Sequence, residues 1–286
     1  MMGQKIDTRA VGLDTGLALM RWLTGAENLH YGLWTGLEIT AGNLRRAQDA
    51  YTERLFAALP PDPLRILDIG GGAGETARKL IALGHSVEIV VPSAFLADCC
   101  RRNAPEAAVH ECTFEAFAGA GPFDLCLFSE SFQYIPIMDS LPKCAALLAP
   151  GGHVLIADCF RTDAYLGREE HGPQPGGGHR LSTFRAALLS VPFEVAEEED
   201  LTEAVAPSID LEQGFFNVIG TGLQRSSTEL AQKKPLVSWM ITRLTALFVK
   251  RKRRERLWQR LTERDRTSEA FKIYNRYLLL KLARTD

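Results

Sequence analysis

Asp68 stands two residues before the first of three alternating glycines, Gly70, Gly72 and Gly74, with Gly71 between the first two. The apolar run that carries Asp68 starts at Ile66, and beyond Gly74 the residues Ala77, Leu80 and Ile81 recur at helical spacing. A strand, a glycine turn and a helix N-terminus in that order form a cradle where a nucleoside cofactor can lie against the backbone. A dinucleotide fingerprint needs glycine at position 75, where Glu75 stands, and a phosphate loop needs a terminal Gly-Lys-Ser/Thr, which is absent. The plainer alternative is a tight turn without a ligand. Three alternate glycines weigh against it, because their backbone entropy is costly unless something comes close.

A second set of chemical groups follows a later apolar run, 123–129, as Ser129, Glu130, Ser131 and Tyr134. Ligands of open α/β sheets bind beyond the carboxyl ends of the strands, so this segment belongs beside the glycine loop. Glu130 suits a general base, or a group that holds a cationic or hydroxyl-bearing acceptor; a structural bond to a backbone amide would use the same carboxylate. Tyr134 either offers its hydroxyl to a substrate or packs. His30 reads as a base or as a satisfied structural histidine. His171 and His179 lie in a stretch rich in glycine and proline, 161–180, and are expected in solvent.

The elements that must place these groups alternate along the chain. Strands are expected at 65–69, 86–91, 108–112, 123–129, 153–159, 193–201 and 277–283, and helices at 12–58, 95–102, 140–148 and 182–189, the last capped by Ser182. A turn at 149–152, Ala-Pro-Gly-Gly, leads into the fifth strand. Alternation of this kind predicts right-handed crossovers and a doubly wound, mostly parallel, Rossmann-like α/β sheet of seven strands. The expected organisation is an N-terminal helical segment over 1–60, a core over 61–200, a helical cap over 201–270 inserted before the last strand, and that strand within 271–286. The stretch 161–180 reads as a lid or as disorder.

The pattern Asp68-x-Gly70-x-Gly72-x-Gly74, the segment 123–131 and the later Pro-Gly-Gly turn together resemble class I S-adenosylmethionine (SAM) methyltransferases. Glu130-Ser131 with Tyr134-Ile-Pro136 is similar to the subgroup of tocopherol, sterol and small-amine methyltransferases, which usually has His where Tyr134 stands. His30-Tyr-Gly-Leu-Trp34 resembles the segment that this subgroup places before its core, where an aromatic residue closes over the methionine end of SAM. The resemblance covers roughly residues 28–160. It implies SAM as cofactor, with Tyr31, Trp34, Asp68, Gly70, Gly71, Gly72, Gly74, Val91, Ser93, Thr113, Phe114 and Ser129 around it, and Glu130, Tyr134 and His30 as catalytic candidates. It also exposes a departure. The family ends its second strand with an acid that accepts the ribose hydroxyls, and Val91 cannot accept a hydrogen bond; Ser93 offers a neutral substitute, as in cyclopropane-synthase-like relatives.

Composition sets the remaining bounds. The 286 residues are 46% apolar with a net charge of −2, enough for a sizeable core and contrary to a general nucleic-acid binder. Six cysteines without Cys-x-x-Cys spacing fit a reduced, cytoplasmic protein and suggest no metal site. Positions 237, 240, 241, 244, 247 and 248 form an apolar helical stripe, and residues 250–256 follow as Lys-Arg-Lys-Arg-Arg-Glu-Arg. That juxtaposition reads as a cap helix with a solvated basic end, or as peripheral contact of 236–261 with anionic lipid. The expected partner is a small, apolar or lipid-like acceptor molecule. The alternative is a non-catalytic relative of the fold, a membrane-associated binding or scaffold protein. Oligomeric state is not legible.

Overall fold

The computed structural model describes residues 8–168, 175–248, 258, 261 and 266–285. Eight strands form one sheet: β1 (Arg65–Ile69), β2 (Ser86–Val90), β3 (Ala108–His110), β4 (Phe123–Ser129), β5 (Leu148–Arg161), β6 (His179–Arg180), β7 (Phe193–Asp200) and β8 (Asn275–Arg284). The order is β3-β2-β1-β4-β5-β8-β7, with the short β6 paired to β5. Pairing is parallel except that β8 runs antiparallel to both β5 and β7. The chain turns from building one side of the sheet to the other between β1 and β4, so a crevice opens beyond their carboxyl ends.

The strands form where they do because both faces of the sheet are covered. Ile66, Ile89, Leu125, Leu127 and Leu155 fill one apolar layer. Their strand neighbours Leu67, Val90, Cys126, Phe128 and Ile156 fill the other. Alternate residues thus enter opposite layers, as the strand period of two demands, and buried parallel strands become continuous apolar runs. Helices α1 (Thr8–Thr24), α2 (Leu44–Ala57), α3 (Glu75–Ala82), α4 (Ala94–Asn103), α5 (Ile137–Leu147) and α6 (Leu181–Leu188) precede β7 in the chain; α7 (Thr202–Val205), α8 (Pro207–Lys233), α9 (Pro235–Phe248) and the helix Ser268–Tyr274 lie between β7 and β8.

Several expectations need correction. Among the described residues the sheet has eight strands rather than seven, the extra one being β6, a two-residue pairing too short for any periodicity. The strand at 148–161 begins before its Pro-Gly-Gly turn: Phe123 pairs with Leu148 and Leu125 with His153, so the turn is a bulge inside β5. The stretch 12–58 is not one helix. Residues 25–40 between α1 and α2 are non-helical, and they form the roof of the site below. Ser182 does not cap α6; its hydroxyl donates to Asp163 (3.1 Å). His179 is half-buried rather than solvated, its Nε2 lying 2.9 Å from the Ile135 carbonyl and 3.1 Å from that of Phe132. His171 and the basic tract 250–256 lie outside the described residues.

Candidate active site

The floor of the crevice is the glycine loop. The Gly70 N–H donates to the Val90 carbonyl (2.8 Å), which ties the loop to β2. From α4, the Cys100 thiol donates to the Gly72 carbonyl (3.2 Å) and the Asn103 amide to that of Ala73 (2.8 Å). A Cβ on Gly71 would lie 2.6 Å from Asp68 Oδ2, so that position admits no side chain. At Gly72, with φ +55°, an added Cβ would meet only Leu29, at 3.9 Å, because this face opens into the crevice. Asp68 is 1% exposed, and burial pushes its carboxyl up to about 7.

The roof comes from α1 and the non-helical segment after it. Glu27 pairs with Arg21 and accepts from Asn103 (2.9 Å), clamping the roof to α4. His30 stacks on Tyr51 with ring centroids 4.3 Å apart, and its Nδ1 lies 2.7 Å from the Tyr31 carbonyl. A carbonyl only accepts, so Nδ1 carries the ring proton and Nε2 is left as an acceptor. Burial holds this ring neutral, lowering its pKa to about 4.

Glu130 forms the wall at the end of β4. It is the non-glycine residue with positive φ among those described, at 58°, a conformation that costs a side chain about 1 kcal/mol or more. Its Oε1 accepts from the Tyr31 N–H (2.8 Å) and from the Tyr277 hydroxyl (3.0 Å). Burial, against those two bonds, pushes the carboxyl up to about 8, and Asp158 nearby pushes in the same direction. Asp158 receives the Gln133 backbone N–H (3.0 Å) and side-chain amide (2.9 Å), which fixes the turn 132–134 carrying Tyr134.

Floor, roof and wall enclose a cavity of about 400 Å³. Of the expected catalytic residues, Glu130, His30 and Tyr134 all line it. So do Asp68, Gly70, Gly71 and Gly72, and further round Val91, Ser93, Thr113 and Ser129. Four expected residues do not line it. Trp34 is buried among Leu44 and Ala47 and donates to Ser208 Oγ (2.8 Å), joining the roof to α8. Phe114 packs in the core against Phe128. Gly74 caps α3, where a Cβ would lie 2.9 Å from the Cα of Cys100. Tyr31 acts through its backbone N–H, while its ring meets Tyr277 edge-on. Conversely, the sequence reading missed Leu13, Asn28 and Leu29 in the roof; no signal short of the tertiary placement of α1 and of residues 25–30 would reveal them.

Three buried polar atoms on this cavity have no hydrogen-bond partner among the described residues: Asn28 Nδ2, His30 Nε2 and Asp68 Oδ2. An unpaired buried polar group costs about 1–3 kcal/mol. A donor and two acceptor sites left open around a glycine loop fit a polar, nucleoside-sized ligand, and SAM has the hydrogen-bonding groups to use them. At the end of β2, Val91 is 2% exposed and lends no acceptor. Ser93 caps α4 by accepting the Leu96 N–H (3.3 Å), which leaves its O–H free to donate and a second lone pair to accept.

The chain matches the description of a methyltransferase domain over residues 41–196. It is 32% identical over 162 residues to the ubiquinone biosynthesis O-methyltransferase of Caulobacter sp. (strain K31), covering 48% of this chain and 62% of that protein. It is 34% identical over 125 residues to the tRNA 5-carboxymethoxyuridine methyltransferase of Escherichia coli (strain K12), covering 40% and 47%. The chain thus spans about half the length of the curated relatives it matches. Among solved structures, geranyl diphosphate C-methyltransferase from Streptomyces coelicolor A3(2), crystallised with S-adenosyl-L-homocysteine, superposes with a TM-score of 0.63 at 16% identity, covering 99% of this chain and 100% of that one. A cyclopropane synthase from Mycobacterium tuberculosis does so with a TM-score of 0.63 at 18% identity, covering 95% of each. These structural likenesses share the fold.

Proposed function

The chain belongs to the methyltransferase-domain family, and from that premise we propose that it is a SAM-dependent methyltransferase acting on a small, apolar or lipid-like acceptor. The observation that carries the reading is the set of three unpartnered buried polar atoms, Asn28 Nδ2, His30 Nε2 and Asp68 Oδ2, arranged around an open glycine loop. Bound there, SAM supplies a sulfonium whose methyl carbon is electrophilic. The work of the chain is then orientation, exclusion of water and proton management. Gly70–Gly72 let the ligand approach the backbone, Asp68 and His30 accept hydrogen bonds from it, and Asn28 donates one. Glu130, at the wall, takes the proton of a neutral nucleophile as the acceptor is methylated. Its elevated pKa suits that role near neutral pH, where a base must be ionised part of the time yet hold a proton when it has one.

The apolar nature of the acceptor is supported by exposed apolar side chains on α8 and α9. On α9 the side chains of Leu236, Trp239, Met240 and Leu244 are exposed, as are Val218 and Leu223 on α8. The sequence then continues into the basic run 250–256. Apolar side chains next to cations are the features by which a helix rests on anionic lipid, and an acceptor dissolved in the bilayer would be delivered from there. No described helix is long and apolar enough to cross a membrane. Titration calorimetry with SAM tests cofactor binding, and sedimentation with lipid vesicles tests the surface.

A further inference from the structure

Four hydroxyl or carboxyl groups run in one hydrogen-bonded line beneath the cavity. Ser129 Oγ lies 3.0 Å from the Tyr51 hydroxyl, which lies 3.0 Å from that of Tyr277, which lies 3.0 Å from Glu130 Oε1. The two tyrosines are 2% and 0% exposed, whereas Ser129 and Glu130, the two ends, both line the cavity. Tyr51 comes from α2 and Tyr277 from β8, so the line joins three distant parts of the chain at one point.

The direction of this line follows from counting protons. Tyr277 has one proton and three acceptors in reach: Glu130 Oε1, the Tyr51 oxygen, and the Ala157 carbonyl at 3.3 Å. A carboxylate is the strongest acceptor of the three. With Glu130 ionised, Tyr277 therefore donates to Oε1, Tyr51 donates to Tyr277, and Ser129 donates to Tyr51. Oε1 also receives the Tyr31 N–H, so it carries two donors, while Oε2 takes no hydrogen bond among the described residues. Burial keeps both tyrosines protonated, pushing their hydroxyls far above the ordinary tyrosine range.

We infer that Tyr277 and Tyr51 are positioning residues for Glu130: they hold Oε1 as a fixed acceptor and leave Oε2 as the oxygen that exchanges a proton with the cavity. The inference rests on the role given to Glu130 above. When the nucleophile's O–H or N–H bond breaks, its electrons stay on the nucleophile and the proton goes to Oε2, while the two bonds at Oε1 persist. Ser129 commits its proton inward and so faces the cavity as an acceptor. The acceptor molecule must accordingly arrive with a proton to give.

The groups facing Glu130 are Asp158 on β5, Glu212 on α8, Tyr31 in the roof, Tyr51 on α2 and Tyr277 on β8. The acids raise its pKa and the bonds from Tyr31 and Tyr277 lower it. Removing the Tyr277 hydroxyl must therefore move the titration upward. The test is a pH titration of ¹³C-carboxyl-labelled glutamate by NMR in the ligand-free protein, with the Glu130 signal assigned by its loss in Glu130→Gln. The wild type should titrate near 8, and Tyr277→Phe should raise the midpoint by roughly one unit, the value of one charged hydrogen bond. Tyr51→Phe should raise it by less, and tests the line even if Tyr277→Phe fails to fold. An unmoved or lowered midpoint in Tyr277→Phe overturns the inference, and an unmoved midpoint in Tyr51→Phe removes Tyr51 from it. Because no cofactor is present, these outcomes are separate from SAM binding, whose absence would overturn the methyltransferase reading alone.

Discussion

The hydroxyl of Tyr277 lies 3.0 Å from Oε1 of Glu130, across 147 positions of sequence. Strand β8 therefore helps to orient a carboxylate at the end of β4, which lies two strands away in the sheet. Glu130→Gln keeps the shape and removes the base. With a competent acceptor, the methylation rate should fall about 10²–10⁴-fold. In the wild type the rate should rise with pH toward about 8 as Glu130 ionises, and the variant should lack that limb. A variant as fast as the wild type, with the same pH profile, would leave Glu130 a structural residue.

The same carboxyl sets a pH dependence of stability. Its folded pKa lies above the unfolded value because burial penalises the charge, so the native state holds its proton longer than the unfolded state does. Stability from this group is full below about 4.5 and is lost as pH rises toward about 8, at up to about 1.4 kcal/mol per pH unit. Glu130→Gln escapes the loss. The melting temperature of the variant relative to wild type should therefore climb across that window; a constant difference would show that the carboxyl is not held neutral by the fold.

At the end of β2, Val91→Asp would restore the acid that the resemblance leads one to expect. The position lines the cavity, and its N–H is already engaged by the His110 carbonyl (3.0 Å), so the backbone is held in place. SAM should bind about tenfold tighter, the worth of roughly one charged hydrogen bond. Weaker binding by a folded variant would mean that this chain meets the ribose through apolar contact and Ser93.

Much of this arrangement was legible in the sequence, for reasons that are physical. Strands β1 and β4 were bounded correctly because a strand covered on both faces is mostly apolar and ends where the polar turn begins. Gly70 to Gly72 were legible because close approach to a backbone leaves few alternatives. The roof was not, because Asn28 and Leu29 carry no local pattern and owe their place to where a non-helical segment crosses the sheet. Tyr51 and Tyr277 drew no notice, since nothing local shows that their hydroxyls meet. Trp34 and Phe114 show the opposite: each sits in the expected segment, with its ring turned into packing.

The exposed apolar surface of α8 and α9 gives a prediction about location. Co-sedimentation should recover the protein with anionic vesicles at low salt and less of it at high salt, since each cation near the surface contributes about 1 kcal/mol and the attraction fades beyond a Debye length. Neutral vesicles should recover little. Equal recovery in the supernatant under all these conditions would favour an acceptor that reaches the site from water.

The most direct test of the methyltransferase reading is calorimetric titration of SAM into the purified wild type and into Gly72→Ala. A side chain at Gly72 meets no protein atom closer than 3.9 Å and projects into the space a ligand would fill. Its positive φ adds about 1–2 kcal/mol of strain, so folding is verified by circular dichroism. One-site binding to the wild type is expected, weakened at least about tenfold in the variant. Absence of binding to the folded wild type, or equal affinity in the two proteins, would contradict it.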